Sequence, residues 1–259
     1  HKHLESIEDE GSFNEVAMSL AYLEGRIEDA DLAIKMGLEI GTQQQKNQLA
    51  ISAASRLLDD RIEQHLDKEK VGEIKYYLGH IVLPDNPAQR TAIVVALTMV
   101  QHALALVQTN FVKAETLRAT LVSIGGVDDA LVLGLEAKSA LFKAKGNTQS
   151  LSKAIKITRR AIEQQTNTIH RDSLRLTLVE ALLDHDKEQA KAEFLFVSKP
   201  DESAKSSLHH RLHARWWMYT SHFESSLRQV ALKEAITKYR AAGCPRAANL
   251  LEARLHSML

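Results

Sequence analysis

Apolar residues recur along almost the whole chain at intervals of three and four, the spacing of helices with one face covered. This pattern predicts helices at roughly 12–24, 27–40, 43–64, 68–80, 87–108, 111–124, 127–145, 149–166, 170–184, 187–198, 202–222, 225–242 and 245–258. The breaks between them are short. Gly25 and Gly41 suit helix C-termini, and Leu83-Pro84-Asp85-Asn86-Pro87 reads as a turn with proline at a helix start. Gly125-Gly126, Gly146-Asn147-Thr148 and Gly243-Cys244-Pro245 read as further turns. The stretch Thr91 to Val107 is apolar all round. Its length is marginal for a bilayer and Gln101 and His102 interrupt it, so a core helix covered by neighbours is expected.

Thirteen helices with short connections predict an all-α fold, an α-solenoid of antiparallel hairpins stacked side by side. No linker divides the chain, so residues 1–259 are expected to form one helical-repeat domain, with the least committed cut near 125–126. The hairpins carry traces of a repeat. Tyr22-Leu23-Glu24-Gly25 leads to Ala30, and Tyr239-Arg240-Ala241-Ala242-Gly243 leads to Ala248, each alanine five residues after the turn glycine. Glycine closes the first helix, and a small alanine lets the second lie tightly against it. A looser copy runs through Ala140, Phe142, Gly146 and Ala154. Another, Ala181 to Asp186 to Ala190, has no glycine. These residues resemble the tetratricopeptide repeat, with spacing that drifts from about 34 residues towards about 40. The resemblance implies a groove that binds proteins or peptides. In architecture, such arrays also look like the helical sensor segments of large bacterial transcription regulators and signalling ATPases.

Composition agrees with helix. Aromatic residues are only 5% and prolines only four, while Ala and Leu, which lose little freedom in a helix, are abundant. The formal net charge is zero, so nucleic acid is not an expected partner through this domain. The charge is nevertheless uneven. Residues 1–40 hold ten acids, Glu8, Asp9 and Glu10 among them, against Lys2, Arg26 and Lys35. Residues 203–259 hold nine bases against Glu224, Glu234 and Glu252. Surface decoration accounts for this, and an acidic front with a basic back would also promote head-to-tail contacts. The lone Cys244 permits no intrachain disulfide, which fits a reducing, cytoplasmic setting. The start, His1-Lys2-His3, lacks an initiator Met and a signal pattern, so a fragment of a longer protein or a tag remnant is expected.

Candidate chemistry is sparse. His170-Arg171-Asp172 matches a kinase catalytic loop as a triplet, but no glycine-rich loop, strand lysine or Asp-Phe-Gly accompanies it. Asp172 is therefore expected to favour a helix N-terminus. His209 and His213 have zinc-ligand spacing, yet no glutamate or third ligand completes the set, and no metal or cofactor is expected. On the same helix, Leu208, Leu212, Trp216, Tyr219 and Phe223 form an apolar stripe, with Trp217 turned away from it beside His210 and His213. Packing accounts for Trp217 first. As a binding surface, Trp217 would line a groove with His210 and His213 as polar contacts. Lys153, Lys156, Arg159 and Arg160 make a basic face, a solvated surface or an anion-binding one, from which Lys153, Lys156 and Arg160 are taken as binding candidates.

No Walker-type loop, dinucleotide fingerprint or nucleophile elbow occurs, so the chain is not expected to be an enzyme. The sequence reads as a protein–protein or peptide-binding module, the regulatory or sensor segment of a larger bacterial regulator, with homo-oligomers allowed and no membrane partner. The alternative is a small-molecule sensor with an inter-helix pocket that controls oligomeric state. An apolar cavity near 91–107 with His102 as its polar handle would favour it.

Overall fold

The structure is a computed structural model that describes residues 27–59, 66–124, 127–145, 147–201 and 207–258. Among these residues there are twelve α-helices and no strand. In chain order they are α1 (Ile27–Ile40), α2 (Gln43–Asp59), α3 (Lys68–Gly79), α4 (Pro87–Val107), α5 (Phe111–Ser123) and α6 (Asp129–Ala144). There follow α7 (Thr148–Gln164), α8 (Thr168–Leu183), α9 (Lys187–Phe194), α10 (Ser207–Phe223), α11 (Arg228–Ala241) and α12 (Pro245–His256). A 3-10 turn, Ser225–Leu227, precedes α11. The helix expected at 12–24, the end of that expected at 43–64 and the start of that expected at 202–222 lie outside the described residues, as do Gly25, Gly125, Gly126 and Gly146. The largest difference within them is α9, which stops at Phe194 where periodicity carried it to 198.

The starts of these helices follow from their caps. Asn110, Asp128, Asn147, Asn167 and Asp186 each accept a hydrogen bond from a backbone N–H of the first turn, at 2.9–3.1 Å. Thr42 and Gln45 form a capping box, in which Gln45 Oε1 accepts from Thr42 N at 2.7 Å. Gly41 follows the end of α1, where a Cβ would stand 2.6 Å from the Gly37 carbonyl oxygen, so the position favours glycine.

The chain divides into two units. The first takes in His1–Val100, Ser206–Arg211 and Ile236–Leu259, and the second Gln101–Lys205 and Leu212–Ala235. This division passes inside α4. In the first unit α2 packs between α1 and α3, burying Ala30, Ile34, Ala50, Ala54, Leu58 and Ile74. Two polar side chains are buried there too. Asn47 clamps the loop after α3, donating to Val82 O (2.7 Å) and accepting from Val82 N (2.9 Å). Arg56 pairs with Asp31 at 3.6 Å and donates to Gly243 O at 3.4 Å, which joins α1, α2 and the turn before α12.

In the second unit α6 packs on α5, α7 and α8, α7 also packs on α8, and α8 packs on α9. Their shared core runs through Ala137, Leu141, Leu151, Ala161, Leu174, Leu178, Leu182, Phe194 and Tyr219. Helix α4 is long and apolar enough to cross a membrane by length and composition alone. Its second half is core, with Val100, His102, Leu104, Ala105, Leu106 and Val107 buried, while residues 87–92 are exposed. All-round coverage was expected from its composition, and only the C-terminal half has it.

Two turns, one in each unit, close by the same hydrogen-bond scheme. After α4, Asn110 N donates to Ala105 O (2.8 Å) and Thr109 N to Leu106 O (2.9 Å), with Thr109 at φ 55°. After α11, Cys244 N donates to Tyr239 O (2.9 Å) and Gly243 N to Arg240 O (2.9 Å), with Gly243 at φ 72°. Both are Schellman closures, which need one left-handed residue. Five residues beyond that residue stand Ala114 and Ala248, each 0% exposed. Ala30 and Ala190 hold the same fourth position of their helices and are equally buried, and Ala154 in α7 is 1% exposed.

Candidate functional site

The most distinctive surface of the second unit is the turn that follows α9. Phe194, Leu195, Phe196 and Val197 are four apolar residues in a row, more than one helix face can cover. The chain leaves the helix here, with Val197 N donating to Phe194 O at 2.9 Å. Phe194, Val197 and Pro200 turn inward, while Leu195 and Phe196 stay 73% and 67% exposed.

Charged side chains of α8 fix the turn in place. Arg175 donates to the Phe196 carbonyl at 2.7 Å, and its guanidinium lies 5.6 Å from the Phe196 ring centroid, a cation–π distance. Asp172, only 2% exposed, lies 3.8 Å from Arg175 and 3.7 Å from Arg171, and it accepts a backbone hydrogen bond from Ser198. Burial pushes its carboxyl pKa upward, against the lowering effect of the two arginines and the hydrogen bonds. The expectation that Asp172 serves a helix N-terminus is corrected here. Helix α8 starts at Thr168 and is capped by Asn167, so Asp172 falls in the second turn and faces inward.

Beneath the turn lies an aromatic cluster. Phe194 packs 5.9 Å from Trp216, 6.4 Å from Tyr219 and 5.3 Å from Phe223. Trp217 stands edge-on to Trp216 at 4.9 Å and 81°, and the Lys199 ammonium lies 5.5 Å above its ring. Trp217 is therefore half-buried, with its ring against Trp216 and Lys199. Arg215 reaches back to α8, to Thr177 Oγ1 (3.3 Å) and Glu180 (3.5 Å), and the Tyr219 hydroxyl shares that carboxylate at 3.3 Å. The expected apolar stripe of α10 holds at Leu212, Trp216, Tyr219 and Phe223, whereas Leu208 is 40% exposed.

The other candidates separate. His213 is buried at 3% exposure, which takes it off the open surface on which it was expected beside Trp217. Leu212, His213 and Ala214 are all buried, so more than one face of α10 is covered at that point, as the packing reading of this helix expected. His210 is half-buried; burial lowers its pKa, with Lys238 and His209 adding to the effect. Among the described residues no group of three metal-ligating side chains occurs. Lys153, Lys156 and Arg160 are exposed along α7, and Arg159 is bound to Glu193 of α9 at 2.7–2.8 Å. His102 is 1% exposed and shares a 3.0 Å hydrogen bond with Ser139 of α6, and burial lowers its pKa to about 4.

Sequence reasoning missed Leu195, Phe196 and Arg175. The signal was the unbroken apolar run 194–197 ahead of Pro200, which periodicity absorbed into a helix. Compared with protein-family models, curated proteins and solved structures, the chain matches none.

Proposed function

We propose that the chain is a protein- or peptide-binding module built of tetratricopeptide-like hairpins, the regulatory segment of a larger bacterial-type regulator. The hairpin reading is supported by the buried alanines at the fourth helix position, by the shared turn scheme, and by the packing of α6 on both α7 and α8. The binding reading rests on one observation: Phe196 is exposed on a turn whose backbone is bonded by Arg175 of α8, itself paired with the buried Asp172. An exposed aromatic that is already ordered loses little freedom on contact, and such residues dominate interface energies. Trp217, half-buried against Trp216 and Lys199, is the second candidate for contact in this unit. The sensor alternative gains nothing from His102, whose imidazole is taken up by Ser139.

The test is a pull-down from lysate of the source organism with wild type, Phe196→Ala and Trp217→Ala. A partner retained by wild type and lost by the folded Phe196→Ala variant supports the module. Equal recovery by all three refutes a binding role for this turn.

A further inference from the structure

We propose that the Leu195–Phe196 turn receives the acidic segment 4–15 of a second copy of this chain, so that copies associate head to tail. The proposal rests on the binding-module reading and names its occupant. The turn offers two exposed apolar side chains with Arg175 against Phe196. Arg171 flanks Asp172 with Arg175, and Lys199 follows Phe196 by three residues. Asp172 is buried between the two arginines. A guanidinium has five N–H donors, more than the Phe196 carbonyl and Asp172 take up, so the arginines retain capacity for carboxylates.

A complementary segment therefore needs apolar anchors interleaved with acids. Residues 4–15 supply Leu4, Ile7 and Phe13 together with Glu5, Glu8, Asp9, Glu10 and Glu15, and they contain no lysine or arginine. Patch and segment are different parts of one chain. The contact is thus heterologous: each copy gives its segment to one neighbour and receives another's, which builds open chains or rings. Charge pairing at an exposed site weakens with salt.

Sedimentation equilibrium of the full chain tests this. Wild type should exceed the monomer mass of 28.9 kDa as concentration rises, and return towards it on adding salt. Phe196→Glu, which destroys the patch, and the triple variant Glu8→Lys/Asp9→Lys/Glu10→Lys, which destroys the segment, should each remain monomeric. Mixed in equal amounts, the two should give a species of twice the monomer mass and nothing larger, because one intact patch meets one intact segment. Circular dichroism checks folding, and Phe196→Ala replaces the glutamate variant if that variant unfolds. Monomeric wild type at every concentration overturns the proposal, as does association that Phe196→Glu leaves unchanged. If wild type is monomeric but the pull-down still depends on Phe196, only this occupant falls. If both fail, the module reading falls with it.

Discussion

His102 ties the stability of the second unit to pH. Its imidazole is 1% exposed, hydrogen-bonded to Ser139, and held neutral by burial, with Lys138 and Arg118 opposing protonation and Glu115 favouring it. Its pKa lies at about 4 in the folded chain against 6.5 in the unfolded chain. Between those values the unfolded state takes up a proton that the folded state refuses. Stability is therefore full above pH 6.5 and declines as pH falls, by up to about 1.4 kcal/mol per pH unit. From pH 7.5 to pH 5 the linkage costs about 2 kcal/mol, and below pH 4 the loss levels off near ~3.4 kcal/mol. The raised pKa of Asp172 works in the opposite sense, since its folded state favours the proton. His102→Gln removes the titration while keeping a hydrogen-bonding partner for Ser139, so the difference between the proteins isolates the histidine. Urea unfolding followed by fluorescence of Trp216 and Trp217, both in the second unit, should show the gap between wild type and His102→Gln shifting by about 2 kcal/mol over that range. A gap constant with pH would refute the argument.

Thr109 holds a left-handed conformation at φ 55° that glycine adopts without strain, so Thr109→Gly should stabilise the second unit by about 0.5–1 kcal/mol, read as a higher urea midpoint. Ala190→Leu forces a large side chain into a fully buried helix contact and should cost about 1–3 kcal/mol, while Ala192→Leu, on the exposed side of α9, should be near neutral. Equal effects of the two would show that the alanine contact is not tight. Asn47→Ala removes both bonds to Val82 and should cost about 1–2 kcal/mol, with faster amide exchange at Val82 than in wild type. Unchanged exchange there would mean that the loop is held by something else.

The helices were legible because a repeating apolar face is a local signal and glycine or proline punctuates several of the breaks. The buried alanine after Gly243 was legible for the same reason, since turn and contact lie five residues apart. Ala114 escaped because its left-handed residue is Thr109, which carries no sign of that conformation in sequence. The site was harder to see. Arg175 and Phe196 are 21 positions apart, and Arg56 reaches Gly243 across 187. Such pairings depend on which helices become neighbours, and no local period encodes them.

Cys244 stands at the start of α12 with its thiol fully buried, and it belongs to the first unit. It is the only cysteine in the chain, and both tryptophans belong to the second unit. A thiol reagent thus marks molecules only when the first unit opens, while indole emission follows the second. One unmodified sample carries a separate clock for each half, so whether the halves open together or in turn is a question the native chain can answer by itself.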